Sequence, residues 1–93
     1  MLRQNQIGRA LKLIRHLKSL TQEDFYEVSG RTYVSQIERD IKAPTIDKVD
    51  ELAQVLDVHP LVLLSTAYLS KLNKQQIKQL VQYLEKELKL LCD

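Results

Sequence analysis

Glycine and proline are nearly absent from this chain: Gly8, Gly30, Pro44 and Pro60 are all that its 93 residues contain. Those two residue types supply most positive-φ turns and most helix stops. A chain this poor in them has few breaks and long regular segments between them. Apolar spacing says which kind of segment. Ile7, Ala10, Leu11, Ile14 and Leu17 recur at the three- and four-residue steps of a helix that buries one stripe, predicting a first helix near residues 5–18. Leu20 then leads into Thr21 and Asp24, an N-cap pair in which the hydroxyl accepts from an orphan amide and the acid favours the positive helix end. A short second helix over about 22–28 follows.

After the break at Ser29-Gly30, the Thr, Tyr, Val and Ile of the next stretch suit a strand, but their spacing decides otherwise. Tyr33, Val34, Ile37 and Ile41 gather on one helical face and predict a third helix over about 31–40. Pro44 and a Thr45 cap open a fourth helix carrying Ile46, Val49, Leu52, Ala53 and Leu56. Asp57-Val58-His59 links it to Pro60, which suits the first turn of a fifth helix with Leu61, Leu63, Leu64 and Ala67. Asn73 caps a last helix of about 74–91, where Ile77, Leu84 and Leu91 repeat every seven residues and Leu80, Val81 and Leu88 widen the stripe. The reading is all-α, with no internal repeat and no low-complexity segment.

Size limits what such a bundle can do. A compact chain of this length has a radius of gyration of roughly 12 Å and buries only about 60–65% of its unfolded surface. That leaves little apolar area for a deep, dry pocket, and with no Gly-rich phosphate loop, no nucleophile beside a base and no carboxylate pair in a cleft, no catalytic residue and no enzyme activity are expected. The single Cys92 cannot form an internal disulfide, and no Cys and His lie at metal-ligand spacing, which points to an intracellular, cytoplasmic protein without metal or cofactor. His16 and His59 stand apart and read as surface or satisfied histidines. Charges interrupt the N-terminal apolar residues and no long apolar run follows, so neither a signal peptide nor a membrane span is expected.

The net charge of +2 is too mild to name a partner, but its distribution is uneven. Residues 1–20 hold Arg3, Arg9, Lys12, Arg15 and Lys18 with no acid, whereas residues 21–30 hold Glu23, Asp24 and Glu27 with no base. Residues 43–66 set Lys48 alone against Asp47, Asp50, Glu51 and Asp57. A basic face forms if the acidic stretches turn away from it.

The set TQED, SGRTYVSQIER and APTIDKVDELAQVL, in this order and spacing, resembles the Cro and lambda-repressor type helix-turn-helix family, often called the Xre family, over about residues 7–64. Three departures stand out. Gln22 to Glu38 is about two residues shorter than the family pattern, so Ser29 or Gly30 must cap a reorganised turn. Tyr26 replaces a small residue, commonly Ala, and Asp40 and Asp57 stand where Gly often ends a helix. The resemblance implies a five-helix lambda-repressor-like DNA-binding domain, placed over residues 1–70, and the last helix, in 71–93, is expected to serve dimerisation. The resemblance also implies a nucleoid-associated regulator, a repressor of prophage or mobile-element type, that reads the major groove of double-stranded DNA with its third helix.

Residue by residue, the resemblance puts Arg31, Thr32 and Gln36 at base edges, where Arg suits guanine, Gln suits adenine and a Thr methyl suits thymine. Thr21, Gln22, Tyr33, Ser35, Arg39 and Lys42 fall to the DNA backbone, and Arg15 and Glu38 to an internal pair that orients helix three against helix one. The last helix's stripe of Ile77, Leu80, Val81, Leu84, Leu88 and Leu91 is wider than one intramolecular contact needs, which predicts a homodimer on an inverted-repeat operator. Folding of that helix over helices one and five as a lid is the competing arrangement. A second function is an antitoxin-like module that binds a partner protein through this helix.

Overall fold

The computed structural model describes residues 6–92. Six α-helices follow one another: α1 Ile7–Leu17, α2 Tyr26–Ser29, α3 Tyr33–Glu38, α4 Ile46–Leu56, α5 Pro60–Leu69 and α6 Lys74–Leu91, with a 3-10 turn Gln22–Phe25 leading into α2 and no strand among the described residues. Asn5, where the first helix was expected to begin, and Arg3 of the basic stretch lie outside the described residues. The caps behave as their chemistry dictates. Thr45 accepts from the Lys48 amide at 3.2 Å, Asn73 and Gln76 exchange bonds at 2.8 and 3.0 Å, and Pro60 begins α5 behind His59, whose Nδ1 accepts from the Leu61 amide at 3.0 Å. At Thr21 the Asp24 carboxylate receives both the Thr21 amide at 2.7 Å and its hydroxyl at 3.2 Å.

Three helix ends explain how the chain manages with so little glycine. The amides of Leu20, Ile41 and Val58 bond back to the carbonyls of Arg15, Gln36 and Ala53, at 2.9, 2.8 and 3.1 Å, and the preceding amides of Ser19, Asp40 and Asp57 bond to His16, Ile37 and Gln54. Each is a Schellman closure whose left-handed residue is Ser19, Asp40 or Asp57, with φ of 58°, 62° and 58°. Asp is among the few L-residues that visit this region at modest cost.

The core is drawn from α1, the 3-10 turn, α3, α4 and α5; α2 buries no residue. Leu11, Phe25, Val34, Ile37, Leu52, Ala53, Leu56 and Leu63 are fully buried, and Ile7, Ala10, Ile14, Val49 and Ala67 nearly so. α1 packs against α5 and α3, and α4 packs against α5 and the 3-10 turn; α4 and α5 meet at a bend of 105°.

Several sequence expectations need correction. Leu17, expected in the α1 stripe, is 76% exposed, because the closure at Ser19 turns the chain and brings Leu20 against the core instead. Ile41 is exposed for the same reason: it follows the left-handed Asp40. Ile46 lies at the first position of α4, one turn short of the core, and Leu61 points away from the Leu63–Ala67 side of α5. The third helix is shorter than 31–40, and the second is half 3-10 turn with Phe25, absent from the expected core, at its centre.

α6 departs from the rest. None of its residues is buried: Ile77 and Leu80 are half-buried, while Val81, Leu84, Leu88 and Leu91 stand largely in the open. An 18-residue helix is about 27 Å long. Its weak engagement accounts for a radius of gyration of 14.3 Å and a long axis of 41 Å, more than a chain of this length needs when fully packed. No single helix among the described residues is long and apolar enough to cross a membrane.

Candidate nucleic-acid interface

The turn between α2 and α3 is made by Gly30. Its φ of 77° and ψ of 174° lie in a region only glycine occupies comfortably, and its amide closes α2 on the Tyr26 carbonyl at 3.1 Å. Ser29 Oγ donates to the Phe25 carbonyl at 2.9 Å, so both residues of the break close α2. A Cβ at Gly30 would meet nothing within 4 Å. Conformation alone therefore demands glycine, and Gly30→Ala is expected to lower stability by about 1–3 kcal/mol. Thermal unfolding checks this; an unshifted midpoint would mean that the turn tolerates an L-residue.

The sharp turn shortens α3. Arg31 and Thr32 precede α3 instead of opening its first turn, with Thr32 at the N-cap; both are exposed. Tyr26 lies under this turn, and the Arg31 guanidinium sits 5.7 Å from its ring centroid. A guanidinium stacked on an aromatic face keeps its N–H donors in the stacking plane, pointing outward. The residue that replaces the family's small side chain thus becomes a platform for Arg31. Gln36 and Ser35 are half-buried on the first α3 turn and a half, and exposed Arg39 folds back so that Nε donates to Ser35 Oγ at 3.2 Å. Lys42 is exposed beyond the helix.

Val34 and Ile37 anchor α3 in the core, and three further devices hold it. Gly8 lets α1 approach so closely that a Cβ there would lie 2.2 Å from the Ile37 carbonyl oxygen. Arg15 grips Glu38 with two bonds, Nε to Oε2 at 2.7 Å and Nη2 to Oε1 at 3.0 Å, while Nη1 donates to the Leu20 carbonyl at 3.0 Å. Gln22 Nε2 donates to Glu38 Oε1 at 3.1 Å. This junction ties α1, the chain leaving it, the 3-10 turn and the end of α3 to one carboxylate. The hydrogen bond to Glu38 raises the Arg15 guanidinium above its ordinary value, burial opposes that, and the coulombic attraction of Glu38 adds to it.

The third device was not visible as a site residue in the sequence. Lys48 on α4 donates to the Val28 carbonyl at 2.6 Å and to Glu51 Oε1 at 2.9 Å, and lies 5.5 Å from the Tyr33 ring centroid. It braces α2 and α3 against α4. The available signal was its solitude, as the one cation in an acidic stretch.

A helix-turn-helix family model matches residues 11–63, more than half of the chain, a range that includes Arg15, Glu38 and Lys48. The chain belongs to the Cro and lambda-repressor type helix-turn-helix family. No curated protein and no solved structure matches it. As a member of this family it is a DNA-binding regulator whose partner is double-stranded DNA. The two helices of the motif are α2 and α3 in this member. Gln22, the expected phosphate contact, spends one amide hydrogen on Glu38, and its nitrogen carries a second. Thr21 is exposed at the same helix start, and Tyr33 is half-buried beside Lys48.

Proposed function

We propose that this helix-turn-helix protein is a sequence-specific transcriptional repressor of prophage or mobile-element type, acting at or near its own promoter as a homodimer. Residues 1–70 form the DNA-binding domain and the helix within 71–93 the dimerisation element. One observation carries the reading: Arg31 and Thr32 stand exposed at the N-terminal end of an α3 clamped on its other side by Gly8, Arg15 and Lys48. A rigid element with free donors at the groove-entering end is what direct readout requires. Arg31, Thr32 and Gln36 read bases, and Thr21, Gln22, Tyr33, Ser35, Arg39 and Lys42 set position on the backbone.

Footprinting on DNA flanking the protein's own reading frame tests the reading, with a protected inverted repeat as the expected result and no protection at any salt concentration as the result against it. The two residue classes separate in binding assays. Arg31→Ala is expected to cost about 1–3 kcal/mol at the specific site and to relax discrimination at one base pair, whereas Lys42→Ala weakens all sites alike and makes the salt slope shallower by about one unit. Equal losses on specific and random duplexes for Arg31→Ala would remove it from the base readers.

The uncovered apolar face of α6 supports a second reading, an antitoxin-like module that binds a partner protein through this helix. Purification of a 1:1 heterocomplex with the product of a neighbouring reading frame is the result that favours it.

A further inference from the structure

The open face of α6 has a more specific pattern than width. Lys74, Ile77, Val81, Leu84, Leu88 and Leu91 alternate steps of three and four, which is the seam of a two-stranded coiled coil. Beside that seam, Lys78 and Glu85 occupy one flank and Leu80 and Glu87 the other. Two helices paired side by side in the same direction would set Lys74 against Lys74 and Leu80 against Glu85, with no pair of opposite charges along either flank. Reversing one helix about an axis between residues 82 and 83 changes every partner. Val81 then meets Leu84 of the second copy, Ile77 meets Leu88, Lys74 covers Leu91 with its aliphatic stem, and Lys78 faces Glu85 twice by symmetry.

Exposure agrees with this arrangement. Val81 and Leu84, beside the axis, are 53% and 47% exposed in the single chain, and Glu85, itself 66% exposed, meets Lys89 at 3.6 Å in an open contact that leaves room for a second cation. We infer that α6 docks on α6 of a second copy in antiparallel orientation, with its direction selected by the Lys78–Glu85 pairs. This rests on the homodimer reading above and adds the direction and the register. The occupant is a second copy because the flank charges complement themselves.

Sedimentation of the full chain at tens of micromolar and low salt tests it. The parent sediments as a dimer, and Lys78→Glu and Glu85→Lys each weaken association about ten-fold by setting like charges opposite each other at two places. An equimolar mixture of those two variants recovers the parental affinity as a heterodimer, since each copy then supplies the charge the other lacks. A parent that is monomeric, or that dimerises only with another protein, overturns the homodimer reading itself. A dimeric parent whose two variants associate as well as it does, with no preference in the mixture, overturns the antiparallel register and leaves the homodimer standing.

Discussion

Arg15→Ala is expected to lower the unfolding free energy by about 3–5 kcal/mol, the range for breaking a buried ion pair from one side. The arginine and glutamate side chains are only 9% and 5% exposed, so the Glu38 carboxylate would stay buried without its cation. The Leu20 carbonyl would lose its donor at the same time, and Gln22 would be left bonded to a carboxylate with no counter-charge. Replacing both partners, as in Arg15→Met with Glu38→Met, removes the charges together and is expected to cost less than the single change. Urea denaturation of the three proteins measures this. An Arg15→Ala protein with an unchanged midpoint and lost DNA binding would move Arg15 from the junction to the interface.

Gly8→Ala is the second large effect, about 3 kcal/mol of destabilisation, at the upper end of the overpacking range. Helix propensity alone argues the other way, since alanine is favoured over glycine by about 1 kcal/mol inside a helix. Packing wins here because the atoms in the way are backbone. The added methyl would lie 2.2 Å from the Ile37 carbonyl oxygen and 3.2 Å from the Glu38 Cα, and neither can rotate aside as a side-chain tip can. α1 and α3 must separate, which also displaces the end of α3 that Arg15 holds. Denaturation should show the loss, and DNA affinity of the remaining folded protein should fall with it. A variant as stable as the parent would mean that the two helices do not touch at Gly8.

Both residues show how differently the fold and the interface could be read from the chain. The six helices, their order, the caps at Thr45 and Asn73 and the start of α5 at Pro60 follow from spacing and cap chemistry within a few consecutive residues. The family was legible because its motifs are themselves short and ordered along the chain. The α2–α3 turn was legible as a problem, since Tyr26 and the two-residue shortening stood out. Its solution, a positive-φ Gly30 with Arg31 resting on Tyr26, was not, because a ring and a guanidinium five residues apart meet only when the turn between them takes one particular shape.

Burial divided along the same line. Leu17 and Phe25 are comparable apolar residues in the sequence, yet one is 76% exposed and the other wholly buried. Periodicity is a property of neighbours along the chain and determined which residues share a helix face. Whether a face meets another element depends on where a distant segment arrives, and that was decided by the closures at Ser19 and Asp40, the close approach at Gly8 and the Lys48 brace from α4. The amino-acid sequence by itself determined six helices, their caps and the family. Only the tertiary structure decided which stripes are core, that α6 keeps its apolar face open, and how α3 is held, because burial and ion pairing depend on contacts between residues far apart in the chain.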